Sequence, residues 1–116
     1  MTLGSATFRA VVASILERRL RVSALALREA EVDRLTLEEI EALTCGGECI
    51  EDYPNDPRGP SCLVLGQQAN RGAVHALWGF DAPSRQAILI TVYLPDPQRW
   101  SEDFRRRRPR DAGDAE

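Results

Sequence analysis

Apolar positions follow a helical period up to the glycine pair Gly46 and Gly47, and alternate after it. Phe8, Val11, Val12, Ile15 and Leu16 fall at i, i+3, i+4, i+7 and i+8, one apolar stripe, with Ser5 placed to cap that first helix. Ser23 is placed to cap a shorter helix over about Ala24 to Val32. The segment "LTLEEI" carries a full helix start: Thr36 as N-cap, Glu39 as the N3 partner of a capping box, and Leu35 with Ile40 as the hydrophobic staple. Beyond the glycines, "ECIEDY", "SCLVLGQQ", "AVHALWGF" and "QAILITVYLP" read as four strands, separated by "PNDPRGP", "ANRG" and "DAPSR". Helices first and a meander second predict an α+β fold, with N-terminal helices packed on one face of a four-stranded antiparallel β-meander sheet. The segment "PDPQRWSEDFRRRRPRDAGDAE" then leaves the sheet, with a short helix expected after Ser101 and with Trp100 and Phe104 expected as anchors at the sheet edge. A single domain over residues 1–110 and a polar tail over 111–116 follow.

Strand parity assigns the two faces. A five-residue "DAPSR" loop sets Phe80 opposite Gln86, His75 opposite Thr91 and diagonal to Tyr93, and Trp78 opposite Ile88. A three-residue loop over Ala69 to Arg71 sets Leu65 opposite His75. One face then holds Cys62, Val64, Val74, Ala76, Trp78, Phe80, Ile88, Ile90 and Val92, the side for the helices to cover. The other holds Leu63, Leu65, Gln67, His75, Leu77, Leu89, Thr91 and Tyr93, a partly open surface and the candidate site.

His75 is the single histidine of the chain. A histidine titrates near neutrality and can act as general acid or base, a tyrosine can orient it, and an arginine can hold a scissile phosphate. His75, Tyr93 and Thr91 are therefore the candidate catalytic set, and the chemistry they suffice for is metal-free cleavage of RNA with the neighbouring 2′-hydroxyl as nucleophile. The bland alternative is a hydrogen-bonded structural histidine.

Composition narrows the class. The chain is 43% hydrophobic and 28% charged, with no apolar run as long as a membrane-spanning helix needs. Its N-terminus lacks the basic-then-apolar order of a secretory signal, so a cytoplasmic location and no membrane partner are expected. The net charge of −3 hides ten acids against one arginine between Glu29 and Asp56, and seven arginines against three acids between Arg85 and Arg110. All 15 basic residues are arginines, suited to bidentate grip of phosphate or simply a product of codon preference. Arg105, Arg106, Arg107 and Arg108 are candidate RNA contacts, or else partners of the chain's own acids or of another protein's. Cys45, Cys49, Cys62 and His75 have the count of a zinc set, but pairing the first two strands about "PNDPRGP" sends Cys49 and Cys62 to opposite faces. No metal and no cofactor is expected, and the three cysteines read as free thiols. Glu51 and Asp52, adjacent on a strand, point to opposite faces and make a poor acid/base pair.

The linked motifs "IEDYP", "PSCLVLG", the strand histidine and "ITVYLPDPQRW", within Leu35 to Pro109, resemble small bacterial proteins of domain-of-unknown-function family 4258. That resemblance implies a likeness to RelE-like toxin nucleases, which pack helices on a twisted antiparallel sheet and cut RNA without a metal. It draws attention to His75, Tyr93 and the arginines after Trp100. It also implies partners: RNA or a ribosome, and a small zinc-finger protein of antitoxin type encoded nearby. One departure stands out, because Leu25 occupies the place of a second-helix histidine common in the family. The resemblance thus supports a toxin-type, metal-independent endoribonuclease or, with that histidine missing, a catalytically silent protein- or RNA-binding module of the same fold.

Overall fold

A computed structural model describes residues 5–109 of the chain; Arg110 and the polar tail lie outside the described residues. Three helices, α1 (Ala6–Leu16), α2 (Ala24–Val32) and α3 (Leu37–Cys45), accompany five strands, β1 (Leu20–Val22), β2 (Glu48–Tyr53), β3 (Ser61–Gln68), β4 (Gly72–Asp81) and β5 (Gln86–Tyr93). The sheet order is β1-β5-β4-β3-β2, with β1 parallel to β5 and the other pairings antiparallel. The α+β class stands, whereas the four-stranded meander is corrected to a five-stranded mixed sheet.

All three helices start where their caps are. The hydroxyls of Ser5, Ser23 and Thr36 accept from the N–H of Phe8, Ala26 and Glu39, and Glu39 reciprocates to the Thr36 N–H. After α1, Arg18 adopts a left-handed φ of 62° and turns the chain back. Leu20 to Val22 then line up beside Ala87 to Leu89. Past β1 the outer edge of β5 is closed by α2: the Ser23 hydroxyl donates to the Ile90 carbonyl at 2.7 Å, and the Glu29 carboxylate accepts from the Val92 N–H at 3.0 Å. Backbone groups that an edge strand leaves unpaired are thus satisfied by side chains.

The helices cover one face, as expected. Val11, Ile15, Ala26, Leu35, Ile40 and Leu43 pack against Cys62, Val64, Val74, Ala76, Trp78, Ala87, Leu89 and Val92. The buried Trp78 indole N–H donates to the Thr44 hydroxyl at 2.9 Å, which itself donates to the Ile40 carbonyl at 2.7 Å, so the core carries no orphaned polar atom there.

Register departs from expectation in two places. The "DAPSR" loop spans only Ala82 to Arg85, which places Asp81, not Phe80, opposite Gln86, and a bulge follows at Ile90. His75 therefore faces Tyr93 directly rather than Thr91, Trp78 faces Leu89 rather than Ile88, and Leu89 and Ala87 take the helix side in place of Ile88 and Ile90. Leu65 does stand opposite His75. A second bulge, at Ile50, puts Cys49 opposite Val64, on the same face as Cys62, contrary to the expected separation.

The second face is open only in part: Leu63, Leu65 and His75 are buried, whereas Leu77, Thr91 and Tyr93 are half-buried and Gln67 is exposed. Residues after Leu94 run back across it as a strap without a helix: the turn at Ser101 is closed instead by its hydroxyl, which accepts from the Arg106 N–H at 3.1 Å and donates to Asp103 at 2.6 Å. Trp100, expected at the sheet edge, is carried by this strap and turned inward against the His75 ring, with only 4% of its surface exposed.

Candidate functional site

His75 sits mid-strand on β4 and is 0% exposed. Its Nε2 lies 2.9 Å from the Phe104 carbonyl oxygen and its Nδ1 lies 3.3 Å from the Tyr93 hydroxyl. A carbonyl can only accept, so Nε2 carries the proton and Nδ1 accepts from the Tyr93 O–H. Both ring nitrogens are consumed by the neutral tautomer. The ring is also held edge-on by Trp100, with centroids 4.3 Å apart, and by Tyr93 at 5.3 Å. Burial drives the His75 pKa below its ordinary value, opposed by the Phe104 bond and the Glu51 charge and assisted by Arg107. Burial likewise raises Tyr93, partly offset by Arg107.

Glu51, from β2, completes the cluster. It pairs with Leu63 in the sheet and so shares the His75 face. Burial alone would raise its pKa, but hydrogen bonds from Arg107 and Tyr53 overcome that and hold it below the usual carboxylate range. Arg107 donates to both Glu51 oxygens, at 2.8 and 3.1 Å, while its guanidinium lies 4.7 Å from the Trp100 ring centroid, a bidentate ion pair with a cation–π contact behind it.

The expected site residues therefore divide. His75 and Tyr93 meet. Thr91 shares their face, but its hydroxyl donates to Glu29 on α2, away from the imidazole. Arg107 joins the cluster through Glu51. Arg105 pairs with Glu48 at 2.9 Å and Asp103 at 3.5 Å, and Arg108 donates to the Pro97 carbonyl at 2.9 Å. Of the four arginines, Arg106 alone leaves its guanidinium without a partner among the described residues. Leu25 is half exposed in the first turn of α2, one helical turn before Glu29. Among the described residues no group of three or more His, Cys, Asp or Glu side chains is placed to hold a metal.

Sequence reasoning passed over Glu51, Glu29 and the Phe104 carbonyl. Parity alone puts Glu51 on the histidine's face, since it stands against Leu63; judged only against Asp52, it looked idle. No local signal marks the Phe104 carbonyl, which is presented by a residue in the left-handed region, φ 62°.

A helix-covered mixed sheet, with a buried histidine bonded to a half-buried tyrosine on its far side, defines an α+β protein. Residues 22–94 match the model of the family described as "Domain of unknown function (DUF4258)", and the chain belongs to that family. The match holds His75, Tyr93, Thr91 and Glu51, and ends before Trp100, Phe104 and the arginine run. No curated protein and no solved structure matches the chain. No described helix is long and apolar enough to cross a membrane.

Proposed function

We propose that the chain is a catalytically silent binding module that engages a protein partner, with His75 serving to fasten the C-terminal strap to the sheet. The observation that carries this is the full burial of an imidazole whose two nitrogens are both bonded internally. A general acid or base must come within hydrogen-bond reach of a substrate proton, and a pKa displaced below the ordinary histidine value leaves the ring neutral there. Two further features favour protein over RNA as the ligand. Arg105 and Arg107 are already neutralised by Glu48 and Glu51, so fewer charges remain to displace counterions from a phosphate backbone. Leu25 and Val32, seven residues apart and hence on one stripe of α2, are 47% and 80% exposed. The small zinc-finger protein that the family resemblance implies as a neighbour is the partner to try first.

One observation favours a second reading. His75, Tyr93 and Glu51 are of the kinds that serve as acid/base and orienting groups in a metal-independent endoribonuclease, and they are gathered beneath one segment that itself carries a phosphate-binding candidate, Arg107. Displacing the strap would uncover His75, Tyr93 and Glu51 and free Arg107 from its pairing, giving a latent toxin-type nuclease.

Both readings meet in one experiment. Purified wild type, His75→Ala and Trp100→Ala are incubated with RNA and with ribosomes, each checked for folding by circular dichroism. The binding-module reading expects no cleavage by any of them, and co-purification with the neighbouring zinc-finger protein that weakens at least about tenfold in Leu25→Glu or Val32→Glu. Cleavage by folded wild type that disappears in His75→Ala overturns it. Cleavage that appears only in Trp100→Ala, and is lost when His75→Ala is added, selects the latent nuclease.

A further inference from the structure

Away from the histidine, on the helix side of the sheet, two thiols meet. The bulge at Ile50 turns Cys49 onto the face of Cys62, with Cys49 opposite Val64 and Cys62 two residues before Val64 on β3. Both pack with the same apolar cluster, as diagonal neighbours on one face of adjacent strands. Cys62 is 0% exposed, whereas Cys49 is only partly covered, on an edge strand. The Cys49 sulfur also lies 3.9 Å from the hydroxyl of Ser5, the N-cap of α1, so it stands at the positive end of an 11-residue helix.

We propose that Cys49 and Cys62 form an oxidation site, a vicinal dithiol that a hydroperoxide converts to a disulfide tying the edge strand β2 to β3. Cys49 is the attacking sulfur and Cys62 the resolving one. The surroundings divide their acidities accordingly. The neighbouring Cys62 thiol is the main cause that brings Cys49 below the ordinary thiol range, with the Ser5 hydroxyl and the Glu51 backbone assisting against burial and the Asp52 charge. Burial and the neighbouring Cys49 drive Cys62 upward, which leaves Cys49, the less covered of the two, as the more acidic thiol. Cys45 is the poorer nucleophile: burial and the Glu41 charge raise its pKa, and it ends α3, where the helix dipole disfavours an anion.

The steps balance. The Cys49 thiolate attacks the terminal peroxide oxygen, the O–O bond breaks, and the departing alkoxide takes a proton from water to leave as an alcohol. Cys49 is now a sulfenic acid. The Cys62 sulfur then attacks the Cys49 sulfur, an S–S bond forms, and the hydroxyl leaves with the Cys62 proton as water. Two thiols have lost two electrons, and the hydroperoxide has been reduced to an alcohol and water. Forming an S–S bond of about 2 Å between diagonal neighbours needs side-chain rotation together with a movement of β2 toward β3, and β2, as an edge strand, is held on one side only. The site does not depend on whether His75 is catalytic.

The test uses the full, reduced chain treated with a few equivalents of hydrogen peroxide, then N-ethylmaleimide, then trypsin. Cleavage at arginine places Cys45 and Cys49 in the peptide over residues 35–58 and Cys62 in that over residues 59–71. The expected product is a cross-link of these two peptides, reversed by dithiothreitol, with the maleimide on Cys45. In Cys62→Ala the cross-link is lost and Cys49 is trapped as a sulfenic acid by dimedone. Should Cys62→Ala fail to fold, native wild type still decides: Cys49 is expected to react with iodoacetamide about tenfold or more faster than Cys45 at neutral pH. A Cys45–Cys49 disulfide, a disulfide between chains, or equal alkylation of Cys45 and Cys49 overturns the proposal.

Discussion

At the scale of the residue, the imidazole of His75 makes a claim about pH. Its pKa in the folded chain lies below the ordinary value near 6.5 because burial penalises the charged ring. Below that ordinary value the unfolded chain binds a proton that the folded chain refuses, so the unfolded state is favoured increasingly as pH drops. The stability contributed by neutral His75 is therefore complete above about pH 6.5 and is lost as pH falls from there toward the folded pKa, by up to about 1.4 kcal/mol per pH unit. Glu51, held below the carboxylate range, loses its contribution only further into acid, so the two windows separate. His75→Ala should cost about 3 kcal/mol at neutral pH, through the cavity and two lost hydrogen bonds, and this penalty should shrink between about pH 6.5 and pH 5. Urea unfolding of both proteins across that range measures it. A penalty that stays constant, or widens toward acid, would mean that the ring is charged in the folded protein.

At the scale of the element, α3 is seated on β3 through a glycine. A Cβ on Gly66 would lie 2.5 Å from the Leu43 carbonyl oxygen and 2.7 Å from the Leu43 Cβ, whereas one on Gly46, the C-cap of α3, would lie 3.5 Å from the Ala42 carbonyl oxygen. Gly66→Ala should accordingly destabilise by about 2–3 kcal/mol and Gly46→Ala by less than about 1 kcal/mol, read as shifts in denaturant midpoint at unchanged slope. Equal shifts would show that α3 is free to slide. This seat is invisible in sequence, where Gly66 is one more residue of an apolar strand. What sequence does reveal is local: Ser5, Ser23 and Thr36 announce their helices because each cap bonds within three residues, and β2 to β5 announce themselves by alternation. β1 escapes because it is three residues long and its parallel partner lies more than sixty residues away, without a connecting turn to signal it. The bulges at Ile50 and Ile90 escape because an apolar run such as "AILITVYL" offers no polar residue to mark where parity slips. His75 and Tyr93 were nonetheless paired on one face, since both lie on the far side of the slip at Ile90 from the turn.

At the scale of the molecule, the sheet carries two unequal cores. The helix side buries Trp78 among apolar side chains from all three helices, and the far side buries His75 against Trp100, the large apolar side chain that the strap itself supplies. Charge holds that strap as much as packing does. Arg105 and Arg107 cross to Glu48 and Glu51 on β2, which is how the basic end of the sequence meets its acidic middle. The exposed pair Arg105–Glu48 is screened by solvent and contributes little, but Glu51 is mostly covered, so removing Arg107 strands a carboxylate and loses a cation–π contact. The strap should therefore open at a smaller free-energy cost than the helix core unfolds. In Arg107→Glu, which sets two like charges together at Glu51, Trp100 should become quenchable by acrylamide and its emission shift to the red, while Trp78 stays protected. Adding Glu51→Arg should restore the opposite pairing and re-cover Trp100 at least partly. Simultaneous exposure of both tryptophans would instead mean that the two faces unfold as one unit, and then no partner could uncover His75 without dismantling the fold.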